Sequence, residues 1–319
     1  MNKIMFLGYS NLIKKRILPV IHQTGIDSVA IAKYGEQPWD EEYQICQLPV
    51  ACFDSYEDGI KGFDGNLVYI STVNSTHVAL AEQCLKKGWH VIIDKPATLT
   101  EKEAIRLVEM AENNHLLLAE STVYLEHPQL GLIKEVFKKN DDAPKLLTVH
   151  FTMPPFTANN FRYYKSLGGG AINDTAPYAV SISRYLFDEI PDEVSVSLDE
   201  KTDEVDIEYS LLMKYRSGKC MIGHFGFNTE YMNQIMVIGN RTNVAVNRIF
   251  TIPDDMENEL QVRHLNESSV VKAPKGNTFS LYLKRICELL YKHEYRCEYE
   301  SLLKDAKVRQ MMKNKLNKQ

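Results

Sequence analysis

Short apolar runs alternate with amphipathic stretches from the start of the chain to about residue 120. The runs KIMFLG (3–8), SVAIAK (28–33), NLVYIST (66–72), HVIID (90–94) and LLLAES (116–121) carry apolar residues at consecutive positions rather than at every second one. Strands of that kind are buried on both faces, as in a parallel sheet covered by helices. A helical stretch follows the first run as far as Ile21, and a loop follows the second. STHVALAEQCLKKG (75–88) and EKEAIRLVEMAENN (101–114) repeat apolar residues every three or four positions and read as helices. The pattern predicts a doubly wound α/β unit over residues 1–120.

The rhythm then changes. After a helix over HPQLGLIKEVFKKN (127–140) come longer runs of strand character: KLLTVHFT, EVSVSL, VDIEYSLLMKY, KCMIGHFGF, YMNQIMVIGN and TNVAVNRIF. Turns such as RSGK and GNRTN suit hairpins, so residues 121–319 are expected to form an α+β domain with a large, mostly antiparallel sheet. A helical segment from about Thr278 to Leu316 closes the chain, with the option of packing back on the first domain.

Composition narrows the class. The 319 residues are 44% hydrophobic and 25% charged, with a formal net charge of −5. That balance fits a globular protein and argues against general nucleic-acid binding, which needs a concentrated positive field. The lysine-rich tail KVRQMMKNKLNKQ keeps a helical stripe in Met311, Met312 and Leu316 and reads as a solvated helix end. No stretch approaches the roughly 20 apolar residues of a spanning helix. The charges after the first apolar run reverse the order of a secretory signal, so a cytoplasmic protein without membrane contact is expected. The six cysteines are scattered, consistent with reduced thiols, and His127, His150 and His224 lack metal-ligand spacing.

The turn after the first strand is where a dinucleotide fingerprint G-x-G-x-x-G would sit. Its three positions here are Gly8, Ser10 and Ile13. Only the first glycine remains. Ser10 can still hydrogen-bond a phosphate, the helix start at Asn11 and Leu12 offers backbone N–H groups, and Ile13 is expected to space the helix from the sheet. Lys33 stands where NAD enzymes place an acid for the adenine ribose, which favours NADP over NAD. Glu36 nearby keeps NAD open. Asp94, Lys95 and Pro96 end a later strand at the sheet edge where α/β proteins bind ligands, and Pro96 fixes an extended Lys95.

Three segments in order resemble the Gfo/Idh/MocA oxidoreductase family. STVNSTH matches its P-N-x-x-H element at Asn74 and His77, with Val73 for the proline. DKP is similar to its E-K-P. GGGAINDTAPY (168–178) is similar to its G-G-G-x-x-x-D-x-G-x-H, with Asp174 matching, Ala176 for Gly and Tyr178 for His. Tyrosine at that position occurs in members that include nucleotide-sugar 3-ketoreductases and glucose-fructose oxidoreductase. GYSNLIKKRILPVI also resembles the first turn of those ketoreductases. The resemblance implies a Rossmann domain whose cofactor contacts are Gly8, Ser10, Asn11, Leu12, Lys33, Ser71, Thr72, Asn74, His77, Asp94, Lys95 and Pro96. It also implies a sugar or nucleotide-sugar substrate, no metal, and a homo-dimer or homo-tetramer formed through the antiparallel sheet.

Proton chemistry is expected of Lys95, Asp174 and Tyr178. Asp174 and Tyr178, at i and i+4, share a face of a helix that is expected to start near Asp174, a good N-cap residue. The glycines of 168–170 would let the backbone approach whatever occupies the cleft. A phenol of pKa about 10 needs a nearby cation to act as a base at neutral pH, and Lys95 is one source; Lys95 could equally be the donor itself. Asp174 would orient Tyr178, bind a sugar hydroxyl or cap the helix. Arg162, Tyr163 and Tyr164 precede the glycines and offer a fork and aromatic faces to a sugar or phosphate. The expected activity is hydride exchange between NAD(P) and a sugar alcohol or ketone. Two other readings stay open: cofactor-assisted epimerisation or glycoside cleavage without net redox, and a non-catalytic dinucleotide-binding regulator.

Overall fold

The computed structural model describes residues 2–35, 39 and 41–316. The chain packs into two compact units, Met1–Ser121 with Phe279–Leu303, and Thr122–Thr278 with Lys304–Gln319. Residues 279–303, placed after the 120 boundary in the sequence reading, therefore belong with the N-terminal unit.

In the first unit, β1 (Lys3–Leu7), β2 (Ser28–Ala32), β3 (Val50–Phe53), β4 (Leu67–Ile70), β5 (His90–Ile93) and β6 (Leu118–Glu120) form a six-stranded sheet in the order β3-β2-β1-β4-β5-β6. Every neighbouring pair is parallel. The order reverses between β1 and β4, which makes the crevice beyond their carboxyl ends the place for a ligand. Helices α1 (Tyr56–Gly62), α2 (His77–Lys86) and α3 (Glu101–Asn113) connect the strands. Thr100 and Glu103 close a capping box on α3, which fixes where that helix begins. Tyr282 and Tyr299 bind residues 279–303 to this sheet by donating to the carbonyls of Glu120 and Leu116.

Two features of this unit differ from the sequence reading. The helical stretch after β1 is a π-helical turn (Ile13–Ile17) followed by a 3₁₀ turn (Leu18–Gln23). Pro19 has no N–H to continue an α-helical ladder, while Ile13, Ile17, Leu18 and Ile21 all stay buried under either winding. Beyond β2, the expected loop contains β3 and α1. VACF is only partly buried and YEDGIKG carries two glycines, so neither shows the apolar periodicity that marks its neighbours. Ser55 starts α1 by accepting the Asp58 N–H at 3.0 Å.

The second unit holds α4 (Pro128–Lys139), β7 (Leu146–Thr152), α5 (Ala171–Phe187), β8 (Glu193–Lys201), β9 (Asp206–Lys214), β10 (Cys220–Gly226), β11 (Met232–Ile238), β12 (Thr242–Asn247), β13 (Asn258–His264) and β14 (Glu267–Ala273). Its eight-stranded sheet runs β14-β13-β12-β11-β7-β10-β9-β8. All pairs are antiparallel except β7 with β10. α5 packs on β9 and β10, α4 on β13 and β14. β13 and β14 went unpredicted because β13 interrupts Leu260 and Val262 with exposed polar residues and β14 is an exposed edge, leaving too few buried apolar positions to set a period. The final helical segment is two helices, α6 (Thr278–Lys292) and α7 (Arg296–Leu316), separated where His293 adopts φ +55°. Arg184 of α5 grips Asp305 of α7 through Nε and Nη2 at 2.6 and 2.9 Å. Among the described residues no helix is long and apolar enough to cross a membrane.

His90, the first residue of β5, accepts the Leu117 N–H on Nδ1 at 3.0 Å, which requires a neutral ring. Burial, reinforced by His293, pushes its pKa down to about 4 from 6.5. Below pH 6.5 the unfolded chain therefore binds a proton that the folded chain refuses, and stability falls as pH drops from about 6.5 to about 4. His90→Asn retains an acceptor and removes the titration. Urea unfolding between pH 7 and 4 should show the variant's stability falling less steeply, by up to about 1.4 kcal/mol per pH unit; parallel curves would contradict the assignment.

Candidate functional site

In the first unit the expected contacts Gly8, Ser10, Ser71 and Asp94 meet at the carboxyl ends of β1, β4 and β5. The Ser71 hydroxyl donates to Asp94 Oδ2 at 2.5 Å, and its oxygen lies 2.8 Å from Ser10 Oγ. Since the Ser71 proton goes to Asp94, Ser10 supplies the proton of that second bond, while its own oxygen receives the Ile13 N–H at 3.2 Å. Tyr69 donates to Asp94 Oδ1 at 2.6 Å and touches Ser121 at 2.5 Å. Burial, together with Asp94, raises the Tyr69 pKa well above 10, so it remains a donor. Ser10 thus holds the turn shut as well as standing beside it.

Gly8 has φ +104°, and a Cβ there would sit 2.1 Å from the Ser71 carbonyl oxygen. Backbone packed this closely to backbone, at the switch point and in front of a helical turn starting past Leu12, is the cradle a pyrophosphate needs. The residues present therefore fit a dinucleotide. Asn11 is exposed and Leu12 half-buried on that turn. Lys95 is half-buried and joined to Pro96 by a cis peptide bond.

Two expected cofactor contacts do other work. His77 is fully buried, with Nδ1 3.0 Å from the Pro96 carbonyl and Nε2 3.2 Å from that of Thr72. Burial lowers its pKa against the pull of those carbonyls; a neutral ring has one N–H, so it donates to one of the two carbonyls and packs against the other. Asn74 is buried beside it, in the 3₁₀ turn that leads into α2. Thr72 hydrogen-bonds Thr76 at 2.7 Å and stiffens the same loop. These side chains shape the walls of this edge.

Lys33 is 7% exposed. Its ammonium lies 3.5 Å from Asp54 and 4.7 Å from the centre of the Trp39 ring. Trp39 in turn stands 5.4 Å from Tyr9 and donates its indole N–H to Asp54 at 2.9 Å. Glu36, the alternative ribose partner, lies outside the described residues.

In the second unit the helix bearing the acid and the phenol starts earlier than expected. α5 begins at Ala171 with Gly170 as its N-cap, so Asp174 is already inside the first turn and does not cap it. The cap comes from Asp206 of β9, whose carboxylate accepts the Ile172 N–H at 2.5 Å. Burial raises the Asp206 pKa, with that bond opposing it. The glycines leave room for these neighbours. A Cβ on Gly170 (φ +107°) would meet Asp206 Oδ1 at 2.7 Å, and one on Gly169 would meet the Arg162 carbonyl oxygen at 2.4 Å.

Asp174, released from capping, accepts Arg162 Nε at 2.8 Å. The guanidinium lies over Phe156 and Phe161 at 4.8 and 4.7 Å and reaches Asn160 at 3.4 Å. One edge of Arg162 and its face are engaged within the chain, and the side chain stays half-buried. Burial disfavours this cation, but Asp174, with a further contribution from Tyr178, raises its pKa overall. Tyr178 is half-buried with its ring against Phe151, Phe250 and Tyr124 at 4.8, 5.1 and 5.6 Å. Acid, cation and phenol are thus brought together. Tyr163 receives the Phe156 N–H on its hydroxyl at 3.0 Å and serves the loop, while Tyr164 is exposed. Among the described residues no group of His, Cys, Asp or Glu could hold a metal ion.

Comparison with known proteins gives two family matches: the NAD-binding Rossmann fold of the Gfo/Idh/MocA oxidoreductases over residues 2–122, and their C-terminal domain over residues 143–245. A dTDP-3,4-didehydro-2,6-dideoxy-alpha-D-glucose 3-reductase from Actinomadura kijaniata is 23% identical over 96% of this chain and 93% of its own length. The enzyme of that name from Saccharopolyspora spinosa is 24% identical over 82% of this chain and 79% of its own. Among solved structures, a 3-ketoreductase from A. kijaniata in complex with NADP and TDP-benzene superposes with a TM-score of 0.89 at 21% identity, covering 98% of this chain and 97% of the other.

Gly8→Ala places a methyl group against the Ser71 carbonyl in a backbone region that disfavours it. It should cost about 2 kcal/mol or more of stability in urea unfolding and weaken dinucleotide binding at least tenfold. Arg162→Met leaves Asp174 buried without its cation and should cost about 3–5 kcal/mol by the same measurement. A loss under 1 kcal/mol would show that the pair is not the anchor of this loop.

Proposed function

The chain belongs to the Gfo/Idh/MocA oxidoreductase family, and on that premise we propose that it reduces a ketone of a nucleotide-linked sugar to the secondary alcohol with NADPH. The observation that carries the reading is Tyr178: a phenol on an aromatic floor, one helical turn past Asp174, whose carboxylate holds the half-buried Arg162 cation at 2.8 Å. A binding module has no use for that set. A nicotinamide held at this sheet edge would supply hydride for the carbonyl carbon. The substrate oxygen, gaining charge as the C=O bond opens, takes its proton from Tyr178 Oη. The ion pair of Asp174 with Arg162 holds a positive charge in the same part of the unit. Lys95, beyond β5, is assigned to the negative charge developing on the substrate oxygen, a role worth on the order of 2.7–4 kcal/mol where a single donor has been removed from an enzyme.

Phe151, Phe250 and Tyr124 are buried and hold the Tyr178 ring, whose half-buried face is the aromatic surface left to a sugar. The nucleotide-linked class is supported by the names of the relatives, whose alignment extends through both matched domains. NADPH is preferred in this reading because a lysine follows β2 where an acid would select NADH.

Tyr178→Phe and Lys95→Ala should each lower kcat about 10²-fold or more, with NADPH binding within a few-fold of wild type. The assay is NADPH oxidation against a panel of dTDP- and UDP-linked 3-keto sugars. Near-normal turnover in both variants, or product formation without net NADPH consumption, would overturn the assignment.

A further inference from the structure

The parallel register of β2 and β3 pairs Ala32 with Phe53, so Lys33 and Asp54 are the first residues past the ends of adjacent strands. The Lys33 N–H donates to the Phe53 carbonyl at 3.1 Å and locks the two exits side by side. Their side chains meet at 3.5 Å. They do so unequally, with the Lys33 side chain 9% exposed and that of Asp54 80% exposed. The carboxylate, rather than the ammonium, is what this edge shows to solvent. Trp39 sits against both, and Tyr9 extends the aromatic surface to Lys14, whose ammonium stands 4.2 Å over its ring. Aromatic planes, two ammonium groups and one carboxylate therefore gather beyond the carboxyl ends of β1, β2 and β3.

That mixture suits the adenosine end of a dinucleotide: a purine stacks on aromatic faces, a phosphate seeks the cations, and a ribose diol donates to a carboxylate. The geometry points to Asp54 as the residue that sets coenzyme preference, an acid supplied by β3 in the role dinucleotide folds commonly give to an acid at the end of β2. It receives the 2′-hydroxyl of NADH and opposes the 2′-phosphate of NADPH, and by holding Lys33 it takes part of the charge that a phosphate would otherwise use. Preference here is a difference between two affinities, and a single repulsive group narrows it. The NADPH preference that Lys33 alone would confer is thereby held to a modest ratio.

This inference rests on the reading that the chain binds a nicotinamide dinucleotide, and the test separates the two. Asp54→Asn keeps an oxygen to accept the Trp39 indole N–H and removes only the charge. Binding of NADPH, NADH, 2′,5′-ADP and 5′-AMP to wild type and variant is followed by cofactor fluorescence or calorimetry, without substrate. The expected result is about tenfold tighter binding of NADPH and 2′,5′-ADP by the variant, with NADH and 5′-AMP unchanged or weaker, and a smaller gain in high salt. Lys33→Met should move the ratio the other way, weakening NADPH about tenfold. If both coenzymes bind wild type and Asp54→Asn leaves their ratio unchanged, the role of Asp54 is overturned while the dinucleotide reading stands. If neither coenzyme binds wild type, both fall.

Discussion

The carboxylate of Asp94 is the point on which the ligand-facing edge of the first unit depends. Parallel strands end in a row of backbone groups and loops with nothing in the sheet itself to hold them. Here hydroxyls from Tyr69 and Ser71 converge on one acid, and Ser10 and Ser121 hydrogen-bond those hydroxyls in turn. The exits of β1, β4, β5 and β6 are tied into one hydrogen-bonded unit. Charge-assisted bonds of this kind are stronger than neutral ones, and they lie at the depth where the backbone must hold still for a ligand. Lys95 follows Asp94 directly, so the same anchor sets the start of the segment that carries the proposed electrostatic group. His77, buried at the start of α2 with one ring N–H to give to the Pro96 or the Thr72 carbonyl, packs against the far side of that segment.

The architecture was legible where burial was two-sided. β1, β4 and β5 are apolar at every central position because helices cover both faces, and no other element type explains such short uniform runs. The same logic fails at edges. β3 at one end of the parallel sheet, and β13 and β14 at one end of the mixed sheet, are wet on one side and carry polar residues there. Their pairing is held by backbone hydrogen bonds that any sequence can make. The single parallel pair, β7 with β10, was equally invisible: a strand's residues report its burial, and not the direction of the neighbour it was given.

The site was legible in its parts and misread in its wiring. Asp174 has the composition of an N-cap and sits near a helix start, which is all that local sequence offers. The residue that caps is Asp206, 34 positions away, and only the fold of β9 against α5 brings it there. With that cap supplied from β9, the Asp174 carboxylate holds Arg162. The glycines at 169 and 170 follow from the same event, since each lies where a Cβ would strike the Arg162 backbone or the capping carboxylate. The motif makes room for the chain's own long-range contacts. Asp54 and Trp39 escaped notice for the related reason that a site residue on a loop carries no periodicity.

The incomplete glycine fingerprint becomes intelligible on the same terms. Of the three positions, only Gly8 faces a backbone carbonyl that leaves no room for a side chain, so only there is glycine imposed by the sheet itself. At the second position a serine is tolerated because its hydroxyl joins the network on Asp94 and receives the Ile13 N–H, replacing conformational freedom by hydrogen bonds that fix the turn. At the third, Ile13 is fully buried, and its bulk is accommodated by a wider π-helical turn where glycine would permit close α-helical packing. Losing two glycines has therefore changed how the turn is held without removing what a pyrophosphate meets: a tight backbone and a helical turn beginning behind it. The part of the coenzyme site left to vary is the far end, where Lys33 and Asp54 lie side by side.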